Sequence, residues 1–162
     1  MMIVAMSSCP CGSDIFQRQL TSISAPAESP PARPGGLLSL DITDYRNIRS
    51  ASQSFSDGLN LITGDNAAGK TSLLEAIAYL ALGQSPLTSI DQRVIRWDAV
   101  ETNMPFAYIK GEIARRNQTE SIEIALEKQL MNNGQARMQK RIRIDQHAIR
   151  RADLAGHLNV VI

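Results

Sequence analysis

The sequence predicts an α/β fold built around a phosphate-binding loop, and three observations carry that prediction. Gly64-Asp65-Asn66-Ala67-Ala68-Gly69-Lys70-Thr71 fits G-x-x-x-x-G-K-[ST], the P-loop pattern. It stands between Gly58-Leu59-Asn60-Leu61-Ile62-Thr63, a short apolar run readable as a buried strand, and Ser72–Leu82, readable as a helix. From Phe106 to Ile144 the apolar residues switch to a period of about 2, the pattern of an antiparallel β meander beside the P-loop strand and helix.

The loop's residue types suit the chemistry. Gly64 and Gly69 accept backbone angles closed to residues with a Cβ and leave room for phosphate to approach the chain. Successive N–H groups, from Asp65 through Ala68, then form an anion nest at the positive end of the following helix. Lys70 is expected to reach the β- and γ-phosphates of ATP, and the Thr71 hydroxyl to hold Mg²⁺, which keeps most of its waters. The cofactor-binding candidates are thus Gly64, Asp65, Asn66, Ala67, Ala68, Gly69, Lys70, Thr71 and Ser72, with Thr71 also the metal candidate. Leu73, Leu74, Ile77, Leu80 and Ala81 share one face of the predicted helix, and Gly83 ends it.

The bulk numbers bound the class. The chain has 162 residues, 43% apolar and 20% charged, with a net charge of +1, enough for one domain with a core. That charge argues neither for nor against nucleic acid. No apolar run approaches the roughly 18 residues of a membrane span, and the start lacks a basic n-region, so a cytoplasmic protein is expected. Cys9 and Cys11 read as exposed thiols, since a metal site needs further ligands and the histidines lie far along the chain.

Residues 1–36 read as a disordered Pro/Ser/Ala-rich tail, too poor in apolar area to offset its ordering entropy, and 37–162 as the folded part. Leu38, Leu40 and Ile42 alternate with Ser39, Asp41 and Thr43, a half-buried strand. Ser50 to Phe55 is a second strand, and Ser56-Asp57-Gly58 a turn. Tyr108 to Arg116, Ser121 to Lys128 and Arg137 to Asp145 are the meander, with Asn132-Asn133-Gly134 its strongest turn signal.

Asp44-Tyr45-Arg46-Asn47-Ile48, a short antiparallel return, and then Gly64-x-Asn66-x-x-Gly69-Lys70-Thr71 leading into Ser72-Leu73-Leu74-Glu75-Ala76-Ile77 resemble the start of the RecF family. The segment from Arg143 to Ile162 is similar to the RecF stretch before its Q-loop: strand, tight turn, short helix ending at Gly156, then a buried strand. The resemblance spans Leu37 to Ile162. It implies an ABC-type, SMC-like ATPase head acting in DNA replication, recombinational repair and the SOS response. It also implies binding to single-stranded or junction DNA, work with other recombination mediator proteins, and an ATP-dependent homodimer at full length. In that family the arginine after the first strand approaches the nucleotide, so the resemblance makes Arg46 a phosphate contact; chemistry alone equally allows a surface ion pair. Ala67 stands where the family more often has glycine, which restricts the loop.

Several side chains keep two readings. Arg93 and Arg96 fit DNA or nucleotide-edge contacts, or solvated charges on one face of a short helix. Arg137, Gln139, Arg141 and Arg143 share one strand face, opposite Met138, Ile142 and Ile144 with Lys140 among them. That basic stripe fits a phosphate backbone, or an ordinary solvated face partly neutralised by Glu123 and Glu127; no aromatic residue is seen to interleave. His147 and His157 read as solvated loop histidines.

No apolar run after the loop ends in the acidic pair of a Walker B strand, and no ABC signature is present in this chain; Leu87 to Asp91 is the nearest approach and is too polar. Nucleotide binding without hydrolysis by this chain alone is therefore expected. Leu158 to Ile162, read as a strand at the last residue, suggests marginal stability. The rival readings are the head of another SMC-like ATPase, such as an OLD-type ATP-dependent nuclease, and a non-catalytic truncated remnant.

Overall fold

A computed structural model describes residues 35–100, 105–115, 118–130 and 136–161. The tail with Cys9 and Cys11, through residue 34, and the Asn132-Asn133-Gly134 turn lie outside the described residues. The strands are β1 (Leu37–Tyr45), β2 (Ile48–Ser54), β3 (Phe106–Ala114), β4 (Thr119–Leu130), β5 (Ala136–Ile144) and β6 (His147–Ile149). The helices are α1 (Lys70–Leu82) and the short α2 (Trp97–Val100), with 3₁₀ turns at Asp91–Val94 and Arg151–Leu154.

The strands form one six-stranded antiparallel sheet in the order β2-β1-β3-β4-β5-β6. The expected hairpin and the expected meander are thus a single layer, joined where β3 pairs with β1. Alternation fixes the register. Ala51, Ile42, Ile109, Ile124, Ile142 and Ile149 lie in one cross-strand row on the inner face. One residue along, the outer face carries Asp41, Lys110, Glu123 and Arg143, a row of alternating charge. A register slip of one residue would bury that row, so the pairing is strongly specified.

Helix α1 packs on the inner face against β1, β3 and β4. It ends at Gly83, whose left-handed conformation (φ 65) lets its N–H donate to the Tyr79 carbonyl at 2.8 Å. Leu73, Ile77, Leu80 and Ala81 are buried as expected, and Leu74 is half-buried. Burial extends further round the helix to Glu75, Ala76, Ala78 and Tyr79. The segment after the helix explains this: Val94 and Ile95 join the core, the Tyr79 hydroxyl donates to Asp91 at 2.6 Å, and Ser85 donates to Glu75 at 2.5 Å. The helix packs tightly on the sheet at Gly111, where a Cβ would stand 2.6 Å from Leu80 Cδ1 and 3.1 Å from Leu37 Cδ1.

Two expected strands are not strands. Gly58 to Thr63 alternates in burial, with Asn60 (8% exposed) and Ile62 (5%) inward and Leu59 (61%) and Leu61 (52%) outward, but no described segment forms a ladder with it. The inward turn of Asn60 has its own cause. Its amide closes on Ser56, accepting from the Ser56 N–H and donating to the Ser56 carbonyl, both at 2.9 Å. Asn159–Val161, after the buried Leu158, likewise has no ladder with any described segment. Apolar alternation reports which side faces the core; a strand also needs a neighbour with unpaired N–H and C=O groups.

Candidate phosphate-binding site

Helix α1 begins at Lys70, directly from the glycine loop. Gly69 is its N-cap, left-handed at φ 96, and a Cβ there would meet Ile48 Cγ1 at 3.3 Å and Asn47 Oδ1 at 3.4 Å. Both backbone angle and space therefore call for glycine. Ala67 is also left-handed, at φ 65, a conformation that strains a residue with a Cβ. The restriction noted at this position in the sequence thus appears as backbone strain.

Lys70 is buried and curls over the loop. Its Nζ donates to the carbonyls of Gly64 at 2.7 Å and Asp65 at 2.8 Å. These carbonyls hold the ammonium across the loop. Thr71 is exposed in the first turn of α1, with its hydroxyl accessible to a hydrated cation. Among the described residues no group of three or more His, Cys, Asp or Glu side chains stands ready to hold a metal ion. A magnesium here would take Thr71, water and phosphate oxygens rather than a protein cage, which fits the cation's habits. The Ser72 hydroxyl donates to Asn47 Oδ1 at 2.7 Å.

The turn between β1 and β2 sits beside the loop. Arg46 occupies it at φ 54, and its N–H donates to the Val94 carbonyl at 2.7 Å. Its guanidinium grips Glu75 in a fork: Nε to Oε2 at 2.8 Å and Nη2 to Oε1 at 2.6 Å, with Nη1 donating to the Arg93 carbonyl at 2.9 Å. The Glu75 carboxylate is 3% exposed and raises the Arg46 pKa above its ordinary value, chiefly through these hydrogen bonds. Of the two readings the sequence leaves for Arg46, the ion pair is thus present in the structure. Tyr45, next to it, is fully buried, edge-on to Tyr79 with centroids 6.1 Å apart. Burial first, then the Glu75 charge, pushes the Tyr45 phenol well above the usual tyrosine range.

The other candidates fall elsewhere. Arg93 lies in a 3₁₀ turn, while Arg96 lies outside any helix and pairs with Asp44 at 3.8 Å and with Asp98. The two do not share a helix face. Arg137, Arg141 and Arg143 are exposed on the outer face of the sheet, as expected, but acids stand among them: Glu123 is opposite Arg143, and Glu127 Oε1 is 3.4 Å from Arg141 Nη1. Aromatic residues do reach this face. Tyr108 lines a shallow depression with Glu123, Ala125, Glu127, Arg141 and Arg143, and stacks on Phe106 at 6.2 Å. Lys140 turns to the inner face, where it holds the Gly83 carbonyl at 3.0 Å and Asp91 at 2.9 Å.

His147 is exposed, with Nδ1 2.8 Å from the Asp145 carbonyl. His157 is not the solvated loop histidine that was expected. Its Nδ1 is 2.5 Å from Glu120 Oε1 and 3.0 Å from Arg115 Nη2, a cluster that ties the last turn to β4. Neither partner is near His157 in sequence, so nothing local announced the contact.

Sequence reading also passed over Asn47 and Glu75 as parts of the site. Glu75 did carry a signal: it is a carboxylate inside an otherwise apolar helix, where a buried charge requires a partner.

A family model described as AAA domain matches residues 39–154, most of the chain and the whole of this site. This chain belongs to the AAA domain family. Within it, the chain is similar to the "DNA replication and repair protein RecF" of Chloroflexus aggregans, 44% identical over 127 residues, which cover 76% of this chain and 32% of that protein. The same protein of Chloroflexus aurantiacus is 41% identical over the same shares. Among solved structures, the recombination mediator protein RecF-ATPrS superposes with a TM-score of 0.61 at 26% identity, over 78% of this chain and 32% of that one. RecF-ATP superposes at 0.56, again at 26% identity, over 75% of this chain and 29% of that one. The chain is therefore a RecF homologue with the fold of an AAA-type P-loop ATPase head, and it spans about a third of the length of the relatives it matches. No helix among the described residues is long and apolar enough to cross a membrane.

Proposed function

We propose that this AAA domain binds ATP with magnesium at residues 64–72 and serves a RecF-type role in DNA replication, recombinational repair and the SOS response. The observation that carries the reading is the buried Lys70 ammonium, held across a glycine loop at the start of α1 by the carbonyls of Gly64 and Asp65. A polyphosphate is an anion suited to this ammonium, and the loop N–H groups and helix terminus add to the attraction. Thr71 is the magnesium ligand. The similarity to RecF-ATP supports the choice of nucleotide.

Arg46 is the further phosphate contact. A guanidinium has five N–H groups, and three of those of Arg46 are engaged by Glu75 and Arg93, so an oxygen of the nucleotide would be met by the remaining face of the fork. DNA, other recombination mediators and an ATP-dependent second copy are the partners of the whole RecF-type protein, a cytoplasmic one. By itself this chain binds nucleotide without hydrolysing it, because the Walker B carboxylate and the signature motif are not in its sequence.

The test is equilibrium binding of a fluorescent ATP analogue with and without Mg²⁺. Magnesium should tighten binding to the wild type, and Thr71→Ala should remove most of that gain. Equal magnesium dependence in both proteins would reject Thr71 as the ligand, and no saturable binding to either would reject the site.

A further inference from the structure

We propose that Asn47 is a positioning residue of the nucleotide loop: a side-chain amide, supplied from the β1–β2 turn, that holds the strained Ala67 in the conformation able to receive phosphate. The inference rests on the ATP-binding reading above and adds a residue outside the loop motif.

Three contacts converge on this amide. Asn47 Nδ2 donates to the Ala67 carbonyl at 2.8 Å. Asn47 Oδ1 accepts from the Ser72 hydroxyl at 2.7 Å. Both amide atoms lie over Gly69, Oδ1 at 3.4 Å and Nδ2 at 3.6 Å from the point a Cβ there would occupy. One planar group thus spans the loop from its strained residue, past its last glycine, to the first turn of α1. Donor and acceptor are both used in the sense that only an amide provides.

Ala67 supplies the need for such a brace. At φ 65 it is a left-handed residue with a Cβ, in a loop whose other two positive-φ positions, Gly64 and Gly69, are glycines. The left-handed state is disfavoured for alanine, so an unbraced loop relaxes toward other conformers. Each relaxed conformer turns its peptide groups away from the nest, and the nucleotide then binds only the fraction of molecules that remain competent. The Ala67 carbonyl held by Asn47 opposes that relaxation. The same turn grips α1 a second time, because Arg46, the preceding residue, binds Glu75, three residues beyond Ser72 on the helix. The sheet and the loop are therefore fixed relative to each other at adjacent residues.

The proposal predicts a rescue that a residue of merely structural value would not show. Asn47→Ala should weaken Mg-ATP binding about tenfold, the scale of one or two lost hydrogen bonds. Ala67→Gly in the Asn47→Ala background should recover most of it, because glycine takes the left-handed angle without strain. Ala67→Gly alone is the reference against which the double variant is read: the affinity lost on truncating Asn47 should be much smaller in the Ala67→Gly background than in the wild-type one. Asn47 is exposed, so its truncation leaves the core intact. Asn47→Ala binding as wild type does, or a loss that Ala67→Gly fails to reduce, overturns the proposal. Hydrogen exchange of the loop amides in nucleotide-free protein separates this from failure of the ATP reading. Faster exchange in Asn47→Ala, slowed again by Ala67→Gly, supports the brace whether or not ATP binds, and unchanged exchange overturns it. Wild type that binds nucleotide no better than Lys70→Ala overturns the ATP reading, and the exchange result then decides the brace.

Discussion

Arg46 and Glu75 form a two-pronged ion pair, 2.8 Å and 2.6 Å along its two arms, between the β1–β2 turn and the second turn of α1. Their side chains are 26% and 3% exposed, so the carboxylate is inside and the guanidinium reaches out to it from the site's edge. The pair does mechanical work: it sets the helix that begins at Lys70 against the strand that ends at Tyr45. Breaking it from one side leaves a buried carboxylate with only the neutral Ser85 and Tyr45 hydroxyls beside it. Arg46→Ala should therefore cost roughly 3 kcal/mol of stability, read from urea unfolding. Glu75→Gln in the same background should return part of that loss. A single-mutant cost under about 0.5 kcal/mol, the range of an exposed pair, would contradict this account of the contact.

A stability change of that size also bears on any test of Arg46 as a phosphate contact. Weaker ATP binding by Arg46→Ala counts as a direct contact only at temperatures where the variant is still folded. Arg46→Lys keeps the charge but not the fork, and should lose affinity while retaining more stability than the alanine variant.

The close approach of α1 to the sheet makes Gly111 a packing glycine. Gly111→Ala should destabilise the fold by about 1–3 kcal/mol, the usual cost of overpacking, because Leu80 is fully buried and has little room to move. Trimming the neighbour, as Leu80→Val with Gly111→Ala, should cost less than the sum of the two single changes. Additive losses in thermal or urea unfolding would show that the steric account is mistaken.

Alkaline pH should unfold this domain through its buried tyrosines. Tyr45 and Tyr79 both have phenols pushed far above the usual value, by burial first and by nearby carboxylates second. A raised folded-state value means that the neutral phenol is favoured by folding. Stability from this source is complete below the unfolded value near pH 10, and falls above it by about 1.4 kcal/mol per pH unit for each tyrosine. The Tyr45 hydroxyl is buried without a hydrogen bond of good geometry. Tyr45→Phe should thus change stability little at pH 7, by under about 1 kcal/mol, and flatten the decline between pH 10 and 11. An unchanged alkaline slope would contradict it.

How much of this was legible in the sequence depends on how local the causes are. The glycine loop, α1 and its stop at Gly83 are short-range features, and each could be read from adjacent residues. The strand row of Ile42, Ile109, Ile124 and Ile142 was legible as alternation, since the side-chain period carries the register. What joined β1 to β3 was not written in either strand alone. Asn47 and Glu75 escaped because their partners lie 20 and 29 residues away. His157 escaped for the same reason, with Glu120 37 residues back. Gly58 to Thr63 was misread as a strand because apolar alternation records burial, whereas a ladder is a property of two segments. The basic stripe on β5 was correctly placed on one face, yet its charge depends on Glu123 and Glu127 of β4, and Tyr108 reaches it from β3.

Whether Lys70 marks a nucleotide site is decided by equilibrium dialysis of Mg-ATP against the wild type and Lys70→Ala. Saturable binding to the wild type, with one nucleotide per chain and a loss of at least about a hundredfold in the variant, is the result predicted from removing the charge-assisted contact of a buried lysine. Equal binding to both proteins, or none to a wild type shown to be folded, would contradict the account.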